Sequence, residues 1–445
     1  MKIPPDIIFT IFGGKFMIEN LFKLKERDTT IKTEIAAGIT TFMTMAYILI
    51  VQPSFMKVAG MDVGAVTVIT AALSAIFSII MGIYTNLPFA MAPAMGSNAF
   101  FAFTLVAGGL ATWQQGLGMV FISGIIFLLL TIFGLREVIV KVIPKNVKIA
   151  IGAAVGFYIA QLGFKNGHIM NITDGSISMG TLHDPKTQLA IIGLIILVGL
   201  MANKVQGAVL IGIVVTTLIG IPMGITKVPQ SLISLPPSIA PIAFKLDIKS
   251  AIKLSFFPLM FTFFVGDFFS TLGTVLGVSS KAGLLDENGD LPEINKPFLV
   301  DAIATIFGAL MGSTVVTTYI ESASGVEAGG KTGLTAVSTG ICFLLTLFFT
   351  PIAGMIPSEA TAPALMIIGL LMISGVKDID FSDFTEAFPA FATIVFTTFT
   401  SSISNGISMG IISYAFVKVL SGKIKELNWG IFLLCVPLVF YFIIM

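Results

Sequence analysis

The sequence predicts an all-α polytopic membrane protein built as two inverted halves, each with a broken helix and a short β-strand at mid-membrane. Three observations predict it. Of 445 residues, 56% are hydrophobic and 11% charged, with a mean hydropathy of +0.99. Soluble chains carry about 25% charge, and a soluble fold could not cover itself with so little. The second observation is a run of apolar stretches of membrane-spanning type, and the third is a weak internal repeat.

The stretches, in order, are 32–53, 64–84, 91–106, 113–135, 146–165, 187–203, 206–225, 254–278, 298–312, 314–330, 332–353, 358–376, 385–403, 404–421 and 427–445. Several are shorter than the ~20 residues of a straight spanning helix. Ahead of them, "DIIFTIFGG" holds a Gly pair and lacks a small-x-small cleavage site, so no cleaved signal is expected. "FMIENLFKLKERDTTIK" reads as a basic, partly amphipathic lead-in on the membrane surface. Lys23, Lys25, Arg27 and Lys32 place the N-terminus in the cytoplasm. Four spans on, Arg136, Lys141, Lys145 and Lys148 fall on the same side, and loop 166–185 falls outside with His168 and His183.

The repeat joins "SGIIFLLLTIF" (123–133) to "TGICFLLTLFF" (339–349). Gly124 and Gly340 are 340 − 124 = 216 residues apart, near half the chain. "MANKVQGAVLIGI" (201–213) resembles "SSISNGISMGIIS" (401–413) in glycine spacing and flanking turn. Seven spans per half is an odd number, so the second half enters from the opposite side, with a site at mid-membrane.

Ionisable residues inside a membrane are costly and mark function by default. Asp267 lies fourteen residues from both Lys253 and Lys281, about 21 Å along a helix in each direction. Glu321 lies ten residues before Lys331, about 15 Å along a helix. Both fall at mid-depth; the plain alternative is two structural acids bonded to backbone or threonine. Glu327 and Lys331, four apart, read as a helix-end ion pair. Asp301 and Glu34, each at the start of a span, suit helix N-termini.

Each half also holds a segment unlike a plain helix. In "AMAPAMGSNAFFAF" (90–103), Pro93 lacks an N–H, Gly96 permits unusual backbone and Asn98 is polar at depth. In "STVVTTY" (313–319), β-branched residues dominate. One reading is a short extended piece leading into a half-helix in each half, the two pieces pairing to satisfy their backbones. The half-helix N-termini would then offer N–H groups to a ligand. The other reading is ordinary helix, with threonines bonding back to carbonyls. The phenylalanines nearby (Phe100, Phe101, Phe103, Phe263, Phe264, Phe268, Phe269) read as core or lipid-facing, with one or two free to stack on a planar ligand.

Composition excludes other classes. A net charge of +1 gives no field for nucleic acid. Cys342 and Cys435 form no CxxC pair, and with both histidines in one loop no His-based site can lie in the membrane. No cofactor or metal is expected.

Four motifs carry a family resemblance: "GITTFMTMAYILIVQPSFMKVAGMD", "MAPAMGSNAFFAF", "GDFFSTLGTVLGV" and "TTYIESASGVEAGGKTGLTAV". They resemble the nucleobase–cation symporter (nucleobase–ascorbate transporter) superfamily, in its AzgA-like purine (guanine/hypoxanthine) permease branch. The resemblance covers nearly the whole chain from about residue 18. It implies fourteen spans as seven-plus-seven inverted repeats, so that the stretch 427–445 is either extra or the product of a split span. The implied organisation is a cytoplasmic lead-in (1–31), a core domain (32–135 and 254–353), a gate domain (136–226 and 354–445) and an external connecting loop (227–253). Carried over by motif position, the substrate contacts are Asn98, Asp267 and Glu321. Gly96, Ser97, Thr317 and Thr318 belong to the same broken segments. The branch often has a second acid three residues after the first in the span-8 motif; here that position is Ser270, which leaves the preferred purine and the coupling ion open.

The expected activity is therefore purine uptake by cation symport in the cell membrane, with a proton or sodium as the ion and a homodimer as an allowed assembly. A carboxylate accepts two parallel hydrogen bonds from adjacent N–H donors such as those of guanine. Either Glu321 or Asp267 supplies that clamp, and the other takes the coupling proton. Two rivals are weaker. An anion transporter of the same architecture would be repelled by two carboxylates. An intramembrane aspartyl protease is hinted at by "GD" (266–267) and "PAL" (363–365), but lacks its first aspartate in a Tyr-Asp context.

Overall fold

The computed structural model describes residues 17–134, 143–173, 176–229, 231–286 and 291–444. Arg136 and Lys141, used above for orientation, and the first 16 residues of the lead-in lie outside them. Nine helices among the described residues are long and apolar enough to cross a membrane, with shorter apolar helices between.

The first half runs α1 (Ile31–Met45), α2 (Ile48–Val58), α3 (Val63–Thr85), β1 (Met91–Pro93), α4 (Met95–Ala99), α5 (Trp113–Ile132), α6 (Lys145–Asn166), α7 (Pro185–Ala202) and α8 (Ala208–Gly220). A short hairpin, β2 (Met170–Thr173) with β3 (Ser176–Met179), occupies the polar loop after α6. The second half runs α9 (Phe257–Lys281), α10 (Asn295–Met311), β4 (Val316–Thr318), α11 (Ser322–Glu327), α12 (Gly333–Thr346), α13 (Thr350–Met355), α14 (Ser358–Ile373), α15 (Phe384–Thr400) and α16 (Ile403–Leu420). A last helix, α17 (Trp429–Ile444), packs on α16.

Local chemistry sets many of these ends. Thr30, Asp62, Thr112, Asp184, Thr332, Asp383 and Ser402 cap helix N-termini with their side chains. Gly312 ends α10 at φ 93°, a left-handed conformation that a side chain would strain. The first span is longer than the expected 32–53: α1 and α2 together reach Val58, with a break at Ala46–Tyr47.

The packing repeats between the halves. α3 lies on α12 as α10 lies on α5, and α1 lies on α12 as α9 lies on α5. The hairpin of α7 and α8 matches that of α15 and α16, and α6 crosses α14. The 216-residue match falls on equivalent contacts. A Cβ on Gly124 would lie 2.9 Å from Ile306 on α10, and one on Gly340 2.7 Å from the Ala75 carbonyl on α3. Each glycine lets two helices of the central bundle approach closely.

Polar pairs sort by end. Where α1 starts, Glu34 accepts from the Lys331 (2.9 Å) and Thr332 (3.2 Å) backbone N–H groups and from the Thr335 hydroxyl (2.6 Å). The acid thus serves the start of α12 as well as its own helix. Lys281 pairs there with Glu327 at 2.5 Å. The expected Glu327–Lys331 pair is corrected: α11 stops at Glu327 and Gly329 turns the chain at φ 100°, so the two are not four apart on one helix.

Candidate functional site

The two broken segments meet at the centre. β1 and β4 pair antiparallel, Met91 opposite Thr318, Ala92 opposite Thr317 and Pro93 opposite Val316. All six residues are buried. Equivalent positions 91 and 316 put the two-fold axis through the Ala92–Thr317 pair. The ladder extends through Ala94 N–H to the Val315 carbonyl and Tyr319 N–H to the Ala90 carbonyl, both 2.9 Å.

Three-residue strands inside a membrane would leave unmet polar groups at either edge, each costing about 1–3 kcal/mol. Helix side chains meet them. Ser78 of α3 accepts from Met91 N–H (2.8 Å) and donates to the Met91 carbonyl (3.3 Å). Thr305 of α10 does the same for Val316, at 3.3 and 3.2 Å, its one hydroxyl hydrogen being shared between the Val316 carbonyl and Asp267 Oδ2. Ser322 accepts from Ala90 N–H at 3.0 Å, Asp301 accepts from Thr318 N–H at 3.0 Å, and the Tyr319 hydroxyl donates to the Pro93 carbonyl at 2.6 Å.

The sequence-derived residues separate into two groups around this ribbon. Glu321 stands half-buried at the corner between β4 and α11, and Tyr47, at the break between α1 and α2, donates to its Oε1 at 2.6 Å. Gly96 and Ser97 are half-buried at the start of α4. The first helical bond of α4 runs from Asn98 N–H to the Ala94 carbonyl, so the N–H groups of Met95, Gly96 and Ser97 have no helical acceptor.

The second group is internal. The Asn98 side chain accepts from Thr314 and donates to the Pro93 carbonyl at 3.4 Å, bracing the turn out of β1. Thr317 shares a 2.7 Å hydrogen bond with Thr271 of α9. Thr318 is buried, and its hydroxyl has no hydrogen-bond partner among the described residues. Asp267 is fully buried on α9; its Oδ2 accepts from Thr305 at 2.9 Å, and its carboxyl lies next to that of Asp301.

Two residues of the site were not singled out from sequence. Tyr47 gave no signal beyond one hydroxyl in an apolar run. Asp301 was placed at a helix start, but α10 begins at Asn295, so the acid sits past the first turn. The helix-dipole explanation is corrected: Asp301 holds a strand N–H and meets a second acid.

α9 supplies a face of small residues beside the ribbon. Gly266, Ser270, Gly273 and Gly277 recur at spacings of four, three and four, one side of a helix. Ser270, Gly273 and Gly277 are exposed. A Cβ on Gly266 would lie 3.9 Å from Ser97 Oγ, and one on Gly277 3.8 Å from Ile320. This open face therefore runs from the start of α4 to the start of α11, with Ser270 and Gly273 between.

At the end remote from Glu34, hydrogen bonds join the central bundle to α6 and to the α15–α16 hairpin. The Thr104 hydroxyl is 3.2 Å from the Tyr158 hydroxyl and 3.0 Å from the Ser401 carbonyl, and Thr262 is 2.7 Å from Ser404.

The described features match known transporters. A family model described as "Permease family" matches residues 32–409. The chain is 42% identical to adenine permease AdeP of Escherichia coli, covering 94% of each chain. It is 38% identical to guanine/hypoxanthine permease PbuG of Bacillus subtilis, covering 96% of this chain and 99% of that one. Among solved structures, the transmembrane domain of the cyanobacterial bicarbonate transporter BicA superposes with a TM-score of 0.60 at 15% identity, covering 85% of this chain and 97% of that one. At that identity the match speaks for the fold alone.

Proposed function

The chain belongs to this permease family, and from that premise we propose that it carries purine nucleobases across the cell membrane by proton-coupled symport. The observation that carries the reading is Glu321 at the ribbon corner. One oxygen is fixed by Tyr47, the side chain is half-buried, and the open face of α9 lies alongside. A carboxylate held in this way accepts from adjacent N–H groups on a purine edge, and such charge-assisted bonds are the strong ones. The free N–H groups at the start of α4 suit ring nitrogens or a carbonyl at the other end of the slot. Of the two acids weighed for the clamp, Glu321 is favoured, because Asp267 has its carboxyl engaged with α10. Asn98 and Thr317 act from behind, by bracing the ribbon, and Thr318 is a strand residue of it whose N–H Asp301 holds. Gly96 and Ser97 line the slot.

Relatives named for adenine and for guanine/hypoxanthine support a purine as the class. Anion transport, known for the fold neighbour, is disfavoured by the acids at this site.

For movement, α1–α5 with α9–α13 act as the core and α6–α8 with α14–α16 as the gate, supported by the packing within each set. The N-terminus is taken as cytoplasmic. The Thr104–Tyr158, Thr104–Ser401 and Thr262–Ser404 contacts then close the outer side. The exposed small residues of α9 open toward the inner side. Transport follows as the core carries the site past the gate.

The test is uptake of labelled adenine, hypoxanthine and guanine by proteoliposomes, with and without a pH gradient. Accumulation of at least one purine that collapses with the gradient is expected. Uptake of none of them, from protein that is folded and inserted, would refute the reading.

A further inference from the structure

Asp301 is a buried acid that purine binding leaves without a task. Its Oδ1 accepts from Thr318 N–H, and Asp267 Oδ2 accepts from Thr305. The remaining oxygens, Asp267 Oδ1 and Asp301 Oδ2, are buried and make no hydrogen bond among the described residues; the nearest hydroxyls, Thr271 and Thr317, are bonded to each other. Thr305, which holds Asp267, is one helical turn along α10 from Asp301, and this brings the two carboxyls next to each other. One acceptor from each acid is thus left over where the two side chains meet. An acceptor facing an acceptor is repulsive, and two ionised carboxylates at that range in a membrane interior are more so. A single proton removes both costs: one acid becomes an O–H donor and the other accepts from it.

Among the described residues, the surroundings bring no compensating cation. α5 carries no titratable side chain, and α3 none between Asp62 and Tyr84 at its ends. The corner after β4 brings Tyr319, an uncharged phenol, and Glu321, a further acid. Lys148 of α6 sits over the Phe269 ring at 5.5 Å. Lys418 of α16 is bound to Glu386 (2.9 Å) and Glu426 (2.6 Å). Lys281, at the end of α9, is bound to Glu327.

We propose that Asp267 and Asp301 hold one proton between them, and that this proton is the coupling ion, bound apart from the purine at Glu321. The second half of the proposal rests on the transport reading above; the first does not. The proton arrives from the outer aqueous phase, forms one O–H bond on the pair, and leaves to the inner phase when that bond breaks. Asp301 also holds Thr318 N–H, so a change in the charge of the pair acts on β4, three residues from Glu321. That is a direct route from proton to substrate.

Two measurements test it. Infrared spectroscopy of the purified protein reads the carbonyl stretch of a protonated carboxyl. At neutral pH the band is expected in the unmodified protein and in Glu321→Gln, and its loss in Asp301→Asn. Proteoliposome transport is the second: purine uptake by Asp301→Asn is expected to lose the dependence on a pH gradient that the unmodified protein shows. Absence of the band from the unmodified protein, or its loss in Glu321→Gln, overturns the shared proton. Those two proteins decide that point even if Asp301→Asn fails to fold. Undiminished pH-driven accumulation by Asp301→Asn, or accumulation by the unmodified protein that follows a sodium gradient instead, overturns the coupling role. If no purine is transported at all, the transport reading fails while the infrared result still reports on the pair.

Discussion

Tyr47 and Glu321 form the contact on which recognition depends most. Removing the hydroxyl in Tyr47→Phe deletes a hydrogen bond to a charged group, worth about 1.5–3 kcal/mol. Purine affinity is expected to fall by about 10- to 100-fold, read by competition in uptake assays, with the fold retained. Ser270 stands on the open face of α9 among the glycines Gly266, Gly273 and Gly277, where the purine is proposed to pass. Ser270→Phe is expected to block uptake by filling it, whereas Ser270→Ala is expected to transport; equal uptake by both would move the slot elsewhere. The sequence disclosed Glu321 and Asp267 because acids are scarce among apolar residues. It hid Asp301 because the span was started three residues late, at 298 instead of Asn295, which made the acid look like a first-turn residue. Tyr47 was hidden because a lone tyrosine in a spanning helix is ordinary.

At the level of elements, the ribbon is the unusual feature, and its stability is borrowed from helices. Ser78 and Thr305 occupy equivalent places, each closing both polar groups of one strand residue. Ser78→Ala leaves the Met91 N–H without that acceptor, at a cost of about 1–3 kcal/mol. A lower thermal unfolding midpoint in detergent is expected, partly recovered when purine binds; an unchanged midpoint would show that the ribbon is held otherwise. The extended pieces were legible from Pro93 and from the β-branched run 313–319, because such residues fit a pleated backbone better than a helix. Their pairing was legible from a physical requirement: backbone at membrane depth must find partners. The register and the bracing hydroxyls were not, because any of a dozen serines and threonines on neighbouring helices could have served. The hairpin 170–179 was likewise unforeseen, lying in a polar loop without an alternating pattern long enough to read.

Across the whole molecule, the two-fold arrangement was traceable through Gly124 and Gly340, whose 216-residue separation falls on matching helix contacts. Orientation and movement make a further prediction. Cysteines at Thr104 and Ser401, in a background with Cys342 and Cys435 replaced, are expected to cross-link the side proposed as outer, since the Thr104 hydroxyl and Ser401 carbonyl are 3.0 Å apart. Oxidation is expected to stop uptake and reduction to restore it; uptake unaffected by a formed cross-link would rule out that movement. The central claim is that Glu321 clamps a purine on its way through the protein, and one comparison tests it most directly. Labelled adenine, hypoxanthine and guanine are offered to proteoliposomes holding equal amounts of folded unmodified protein and Glu321→Gln. Accumulation of at least one purine by the unmodified protein and its loss in the variant are expected, and near-equal uptake by the two would refute the clamp.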